Sequence, residues 1–242
     1  MTTNRLEEFE FDCVSAVDPS FEVPARAFLR RIGRSRLFDE LIRPALDEGS
    51  ALVAVAQRTR PWPPWGIGAR TISAMEIAVP RAEGAAGLTS VLAVPEESTE
   101  IGLLSAVHAT LLDGLADRGV ERVHLTVREG AAFGEWLASG AGFARSDSLV
   151  LTEHSRYWLH DATISEHRRA IGLEEANVDD LLTGGALKGD AYTRAVVYLL
   201  GVAQALAPSW DEQLTAGEVI ANTGPGMVAR CLPPGGPPAL EQ

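Results

Sequence analysis

The chain has 242 residues, 46% of them apolar and 22% charged, a composition typical of a soluble protein that buries a core. Its formal net charge of -12 excludes non-specific nucleic-acid binding, because that binding depends on clustered lysine and arginine side chains. The two cysteines, Cys13 and Cys231, lie far apart without metal-ligand spacing, so neither a disulfide framework nor a zinc site is indicated.

The first half of the chain predicts strands and two short helices. Residues 1–12 are polar and acidic, without the apolar segment of a signal peptide, so we expect a cytoplasmic location. Alternating apolar and polar residues over 9–17 predict the first strand. Two helical patterns follow, and the second begins at a Ser35 cap and ends at Gly49. An antiparallel meander of three strands is then predicted over 51–58, 71–80 and 87–95.

The period of the apolar residues changes after this meander. A helix is predicted from Ser98 or Thr99 to Gly119, because apolar side chains recur at helical spacing. A strand, a second helix and two more strands follow over 122–127, 131–141 and 143–162. A strand, helix, strand unit implies one parallel pair, by the right-handed crossover rule.

The C-terminal third has a different texture. Helical patterns without strands predict a domain boundary after residue 162, a helical appendage over 163–223 and an irregular Pro/Gly-rich tail over 224–242. The most apolar stretch, 195–203, is shorter than the ~20 residues that span a bilayer, so no membrane segment is expected. Because this stretch is apolar on most faces, it packs between helices and core or forms a homodimer interface through the C-terminal helices.

The order of elements over 9–162 resembles that of the GNAT superfamily, whose members transfer an acyl group from acyl-coenzyme A to an amine. The strongest part of the resemblance is 87–150, including the strand entries "DRGVERVHLTV" and "GAGF". The resemblance implies an α/β (α+β) fold, with an acyl-CoA N-acyltransferase-like mixed central sheet. That sheet is mostly antiparallel with one parallel pair, is flanked by helices, and here carries a C-terminal helical appendage.

The resemblance also implies a coenzyme loop. In the family a Q/R-x-x-G-x-G/A motif lets main-chain N–H groups close on the pyrophosphate at a helix N-terminus. Only Gly102 matches here, Leu104 stands where a small residue is expected, and Glu96, Glu97 and Glu100 surround the loop. The alternative is an ordinary capped helix start. The residues implied to bind acetyl-CoA or another acyl-CoA are Val94, through a nearby main-chain N–H, and Thr99, Glu100, Ile101, Gly102, Leu103 and Leu104.

Catalytic candidates come from carboxylate and phenol side chains on the predicted strands. Glu76 is the candidate general base, with a solvent-facing or edge-strand glutamate as the alternative. Tyr157 could reach the acceptor side from the last strand. Ala138 occupies the position of the tyrosine that serves many family members as general acid. His108 lies on the apolar stripe of its helix and is interpreted as a core residue, and no metal site is predicted.

The loop "RPWPPWG" supplies the candidate acceptor contacts. Trp62 and Trp65 either line the substrate groove or form a lid over the core. The first functional hypothesis is an acyl-CoA-dependent N-acyltransferase, acetyl by expectation, acting on a small-molecule or peptide amine. The alternative is a catalytically degenerate GNAT-like binding or scaffold protein that no longer uses acyl-CoA. A third reading gives the same fold a different chemistry, since folds do not fix function.

Overall fold

Eight strands form one mixed sheet in the computed structural model of the chain. The structure describes residues 9–60, 69–81, 84–89, 91–97, 100–151, 156–174, 181 and 190–205. The strands are β1 (Phe9–Val14), β2 (Leu52–Arg60), β3 (Ala69–Arg81), β4 (Ala85–Leu88), β5 (Leu92–Ala93), β6 (Arg122–Arg128), β7 (Ala144–Leu151) and β8 (Arg156–Thr163).

Strand order confirms the predicted fold class. The strands lie in the order β1-β2-β3-β4-β6-β8-β7, and β5 pairs with β3 beside this path. Neighbouring strands are antiparallel except for β4 and β6, which run parallel. The antiparallel meander and the single parallel pair are therefore as predicted, except that the strand predicted over 87–95 is divided into β4 and β5, which both pair with β3.

Helices cover both faces of the sheet. The helix α1 (Pro19–Arg31) packs on β3, whereas α3 (Ile101–Ala116) packs on β1, β2 and β3 and also contacts α6 (Asp190–Ala205). Within the described ranges no helix is both long and apolar enough to cross a membrane. The helical elements are α1 (Pro19–Arg31), a π-helical turn (Phe38–Ile42) that continues into α2 (Arg43–Asp47), a 3-10 turn (Pro95–Glu97), α3 (Ile101–Ala116), α4 (Ala132–Gly140), α5 (Ile164–Ala170) and α6 (Asp190–Ala205).

The two faces of the sheet differ in side-chain size. Successive strand residues point to opposite faces, so each face collects every second residue of β2 and β3. The face under α1 carries large side chains such as Val55, Met75 and Ile77. On the face under α3 the two strands place small side chains that let the helix come close to the backbone. These fully buried residues are Ala54, Ala56, Ala74 and Ala78.

The C-terminal helices pack on the α3 side of the sheet. Ile164 of α5 and Tyr198 of α6 belong to the same cluster of buried side chains as α3 and β6. The helix α6 packs against both α3 and α4. These helices therefore share the core of the sheet at the described positions. The predicted boundaries at 162 and 223 stay predictions, and the predicted tail, 224–242, lies outside the described residues.

Candidate functional site

The sheet opens between two neighbouring strands. Among the residues that the structure describes, the parallel strands β4 and β6 are paired at three positions, the last of which is Gly87 opposite His124. Beyond this point β6 runs on to Arg128 in register with β8, whereas β5 pairs with β3. The main-chain groups of two central strands therefore face a gap rather than each other.

A glycine stands where the strands part. A Cβ atom on Gly87 would lie 2.9 Å from Nε2 of His124, whose side chain is buried against it. Because a real Cβ does not approach another atom so closely, only glycine fits this position without movement of the histidine. The close contact places His124 at the base of the gap.

The helix α3 follows β5, the strand that pairs with β3 beyond the last β4–β6 pair. Glu100 is its N-cap residue, and no side-chain hydrogen bond caps the helix among the described residues. The N–H of Leu104 donates to the carbonyl of Glu100 at 3.0 Å, so the helix is regular from its first turn. The N–H groups of that first turn precede the first intrahelical bond, and they form the kind of N-terminus that attracts anions.

The side chain of Leu104 does not obstruct this N-terminus. It is 3% exposed and lies in the hydrophobic core with Ile101 and Leu103. Glu96, in the turn before the helix, is exposed and accepts a hydrogen bond from Nη2 of Arg31 at 2.7 Å. One negative charge of the loop therefore has a positive neighbour. Thr99 lies outside the described residues.

The main chain near Val94 is partly occupied. The N–H of Val94 donates to the carbonyl of Ser73 at 2.9 Å, which continues the pairing of β5 with β3. Val94 is buried beside the large side chains under α1. A donor for a thioester carbonyl at this position would therefore have to be a neighbouring N–H group.

The structure places Glu76 beneath α3. Its carboxylate is 1% exposed, and the two oxygens lie 2.8 and 3.0 Å from Nδ1 of His108. The alternative of a solvent-facing glutamate is wrong for this reason. Ala74 and Ala78, the neighbours of Glu76 on the same face of β3, have small side chains that leave room for the His108 ring. That ring is itself fully buried. The interpretation of His108 as a core residue agrees with its burial.

A second histidine extends this pair. Nε2 of His108 lies 2.8 Å from Nε2 of His167, and Nδ1 of His167 lies 2.8 Å from the carbonyl oxygen of Ala141. We call Glu76, His108 and His167 the Glu–His–His chain. It connects β3, α3 and α5 with the C-terminal end of α4. No group of three His, Cys, Asp or Glu side chains among the described residues is arranged to hold a metal ion.

Aromatic side chains enclose the Glu–His–His chain. The ring of Tyr198 lies 4.7 Å from that of His167 and 5.5 Å from that of His108, and Phe143 lies 4.7 Å from His167. Burial, with a smaller contribution from His108, lowers the pKa of His167 well below its usual 6.5. Burial, with a smaller contribution from Glu76, raises the pKa of Tyr198 well above its usual 10.0. Both groups are therefore neutral at pH 7.

A pocket lies between α4 and α6, next to this enclosure. It holds about 280 Å³ of empty space, and its walls include the backbone segment at Ala141 and the Tyr198 side chain. Arg194 is the positively charged residue among those that line the pocket. Nothing in the sequence pattern predicted the pocket or the role of His167, because His167 and His108 are 59 residues apart.

The remaining predicted site residues lie on β8 or outside the described ranges. Tyr157 is half-buried and lies on β8 opposite Arg128, the last residue of β6, on the side of β6 away from β4. Ala138, at the position of the missing tyrosine acid, is fully buried in α4. Trp62 and Trp65 lie outside the described residues.

Comparisons with known proteins give matches among solved structures alone. No protein-family model matches the chain, and no curated protein matches it. A protein of Desulfovibrio desulfuricans assigned to the GNAT acetyltransferases aligns with 64% of this chain and 99% of its own, at 14% identity and a TM-score of 0.46. A GNAT-family acetyltransferase of Staphylococcus aureus aligns over 64% and 99%, at 8% identity and a TM-score of 0.42.

A third aligned structure is an aminoglycoside 6'-N-acetyltransferase in complex with coenzyme A. It covers 64% of this chain and 97% of its own, at 9% identity and a TM-score of 0.41. With such values the fold assignment depends on the strand order. That order, with the parting of β4 and β6, matches the acyl-CoA N-acyltransferase fold that the sequence resemblance predicts.

Proposed function

We propose that the chain is an acyl-CoA-dependent N-acyltransferase that acts on a small-molecule or peptide amine, with acetyl-CoA as the expected acyl donor. The observation that carries the proposal is the gap between β4 and β6 together with the start of α3 that follows β5, where no described side chain caps the helix. An open strand edge offers main-chain hydrogen bonds to an extended ligand arm. A helix N-terminus offers N–H groups and a positive dipole end to phosphates.

The burial of Leu104 supports this proposal. The main objection from the sequence is that a leucine replaces the small residue near the expected pyrophosphate. Because its side chain lies in the core, the first turn of α3 presents Gly102 and main-chain N–H groups there. The ion pair of Glu96 with Arg31 reduces the negative charge of the loop as well. Exposed pairs of this kind contribute at most about 1 kcal/mol. The burial of the Leu104 side chain therefore supports coenzyme binding more strongly than this ion pair does.

Positioning accounts for the proposed catalysis. A bound acyl-CoA supplies an activated thioester, and holding it next to the amine lowers the entropic part of the barrier. Main-chain N–H groups facing the gap would stabilise the negative charge that develops on the thioester oxygen. Tyr157, on β8 opposite the last residue of β6, is the proposed group that contacts the acceptor or the leaving sulfur. Glu76 as general base stays a prediction, and its only hydrogen-bond partner among the described residues is His108.

The other proposals concern the acceptor and the assembly. We retain Trp62 and Trp65 as acceptor contacts, a cytoplasmic location, and a homodimer formed through the C-terminal helices. The packing of α6 on α3 and α4 covers part of its apolar surface within the chain.

Binding of coenzyme A tests the proposal at Gly102. We expect acetyl-CoA to bind in titration calorimetry and, at about 100 times its Kd, to raise the free energy of unfolding by about 2.7 kcal/mol. Gly102→Asp should abolish this binding, because a carboxylate in the first turn repels the pyrophosphate. The same carboxylate favours the helix dipole, so the unliganded variant should keep its stability. Gly102→Ala is the matched control that adds a Cβ atom without charge.

Two outcomes would contradict the proposal. An unchanged melting temperature in millimolar acetyl-CoA and longer acyl-CoAs would show that the protein does not bind the proposed cofactor. Equal binding by the Gly102→Asp variant would place the cofactor elsewhere.

A second candidate function is a binding or scaffold protein with this fold. The enclosure of Glu76 and the presence of Ala138 at the position of the usual acid favour it. Coenzyme A consumption assayed over a panel of amines separates the two candidates. Turnover that is reduced in Tyr157→Phe supports the enzyme, whereas the absence of both coenzyme binding and turnover on every amine tested supports the scaffold.

A further inference from the structure

The hydrogen bonds of the Glu–His–His chain determine where its protons lie. A carbonyl oxygen can only accept, so Nδ1 of His167 must donate to Ala141. When His167 is neutral, its Nε2 carries a lone pair and must accept from Nε2 of His108. The remaining proton is shared between Nδ1 of His108 and the carboxylate of Glu76. Three protons therefore satisfy all the bonds of the chain.

With three protons the Glu–His–His chain is neutral as a whole. Either Glu76 is a carboxylic acid beside a neutral His108, or the two form an ion pair, and His167 is neutral in both cases. The net charge is zero in each arrangement, which suits a group of side chains that is excluded from water.

A fourth proton has no good position in this chain. On Nε2 of His167 it would face the N–H of His108 across 2.8 Å, so the bond between α3 and α5 is kept only if the proton of His108 moves to Nδ1. On Glu76 it would leave a cationic His108 in the core without a carboxylate partner. Both arrangements bury an uncompensated positive charge, which is unfavourable in an apolar environment.

The charged and titratable groups around the chain do not offset such a charge. Tyr198 faces the chain from α6 and is kept neutral by burial. Arg168, next to His167 on α5, is a cation that pairs with Asp113 of α3 and donates to the carbonyl of Ala109. Arg194 of α6 lines the neighbouring pocket and is also positive. From the α4 side the chain meets the Ala141 carbonyl and the Phe143 ring.

We propose that the Glu–His–His chain is an acid-sensitive latch, which holds α5 and α6 against α3 and α4 above about pH 6.5 and loosens them below it. His167 is the group through which it acts, because it bonds both α3 and the end of α4 and packs against Tyr198 of α6.

The direction of the effect follows from proton linkage. His167 in the closed protein has a pKa well below 6.5, so the closed state binds fewer protons than an open state in which the ring is exposed. The latch is therefore fully closed above the pKa of the open state. Its stability is lost progressively as the pH falls below about 6.5.

Two measurements on the full chain test the latch. Long-range ¹H–¹⁵N spectra at pH 7.5 should show His167 protonated at Nδ1 and unprotonated at Nε2, and Glu76→Gln should preserve that tautomer because its amide can donate to His108. Hydrogen exchange, corrected for intrinsic rates, should show protection of the α6 amides falling up to about tenfold per pH unit below 6.5. Amides of β2 and β3 should change far less.

Two variants complete the test. His167→Gln keeps an acceptor for His108 but does not titrate, so protection of α6 should become nearly independent of pH. His160→Gln is the control, because His160 is another buried histidine, on β8, whose Nδ1 donates to the carbonyl of Trp158. It should behave like the parent.

Three results would overturn the proposal. They are a proton on Nε2 of neutral His167, the same pH slope in the parent and His167→Gln, or a simultaneous loss of protection in β2, β3 and α6. The tautomer measurement is made on the parent chain and requires no variant.

Discussion

At the scale of single residues, Gly114 marks a close contact between α3 and the sheet. A Cβ atom there would lie 2.8 Å from Sγ of Cys13 and 2.9 Å from a methyl group of Leu52. The Cys13 thiol is held against the helix by a hydrogen bond to the carbonyl of Thr110. Burial, followed by the charge of Asp12, raises the pKa of this thiol to about 11. The glycine thus lets α3 lie directly on β1 and β2.

Replacement of Gly114 with alanine changes the helix propensity of α3 and the packing around it in opposite directions. Gly114→Ala gains about 1 kcal/mol of helix propensity, but overpacking in a filled core costs about 1 to 3 kcal/mol. We expect a net loss of stability in urea denaturation. Gly140→Ala is the matched control, because its new Cβ would meet no atom within 4 Å, and it should be neutral or stabilising. Equal stabilisation by both variants would show that α3 has space at Gly114.

The same scale shows what the sequence could not predict. Glu76 stands out in the sequence as a carboxylate within an apolar strand, and it is indeed buried. Its partners were not predictable, because His108 is 32 residues away and His167 is another 59 residues further along the chain. Periodicity indicates which side of an element is buried, but it does not indicate which buried polar groups meet.

At the scale of elements, α5 is the short helix that carries His167. It begins at a capping box in which the Thr163 hydroxyl accepts from the N–H of Glu166, and the Glu166 carboxylate accepts from the N–H of Thr163. The Thr163 hydroxyl bond, followed by the bond from its N–H, lowers the pKa of Glu166. The cap therefore contributes its full stability above the usual pKa of glutamate and loses it under acid.

Removal of this cap should weaken α5 measurably. Thr163→Ala should lower the free energy of unfolding by about 1 kcal/mol, because it leaves a first-turn N–H without its acceptor. Thr163→Ser, which retains the hydroxyl, should keep most of the stability. The comparison is made by urea denaturation at pH 7.5, and an equal loss in the two variants would mean that the methyl group, not the cap, is responsible.

Predictability of the elements followed the strength of their local signals. The helix α3 and the strand β6 were predicted closely, because a long apolar period ends at Gly119, which adopts a positive φ of 74°. The helix α1 begins at Pro19, because Asp18 caps it through the N–H groups of Ser20 and Phe21. The first turn of the second predicted helix is π-helical. No residue pattern distinguishes that turn from an α-helix.

At the scale of the whole molecule, the sheet and the C-terminal helices form one set of buried contacts. Residues of β2, α3, α5 and α6 occur in a single hydrophobic cluster. The sequence indicates a boundary after residue 162, because strands give way to helices there. A change in secondary structure does not by itself separate two cores.

Truncation tests the predicted boundary directly. A fragment of residues 1–162 should lose cooperative thermal unfolding, because α3 would expose an apolar side and His108 would lose its partner at Nε2. A fragment of residues 1–223, which lacks only the predicted tail, should unfold with the midpoint of the full chain. Cooperative unfolding of 1–162 near the parental midpoint would establish a domain that ends at residue 162.

Ala74 and Ala78 flank Glu76 on one face of β3. This placement also has a consequence for how the strands find their register during folding. Side chains alternate along a strand, so a slip of β3 by one residue would turn Glu76 toward the face packed by Phe21, Phe28 and Phe38. A carboxylate among these rings would have no partner. The shifted register is therefore disfavoured, because it would bury an unpaired charge. The pairing of Glu76 with His108 of α3 therefore favours the correct alignment of β3.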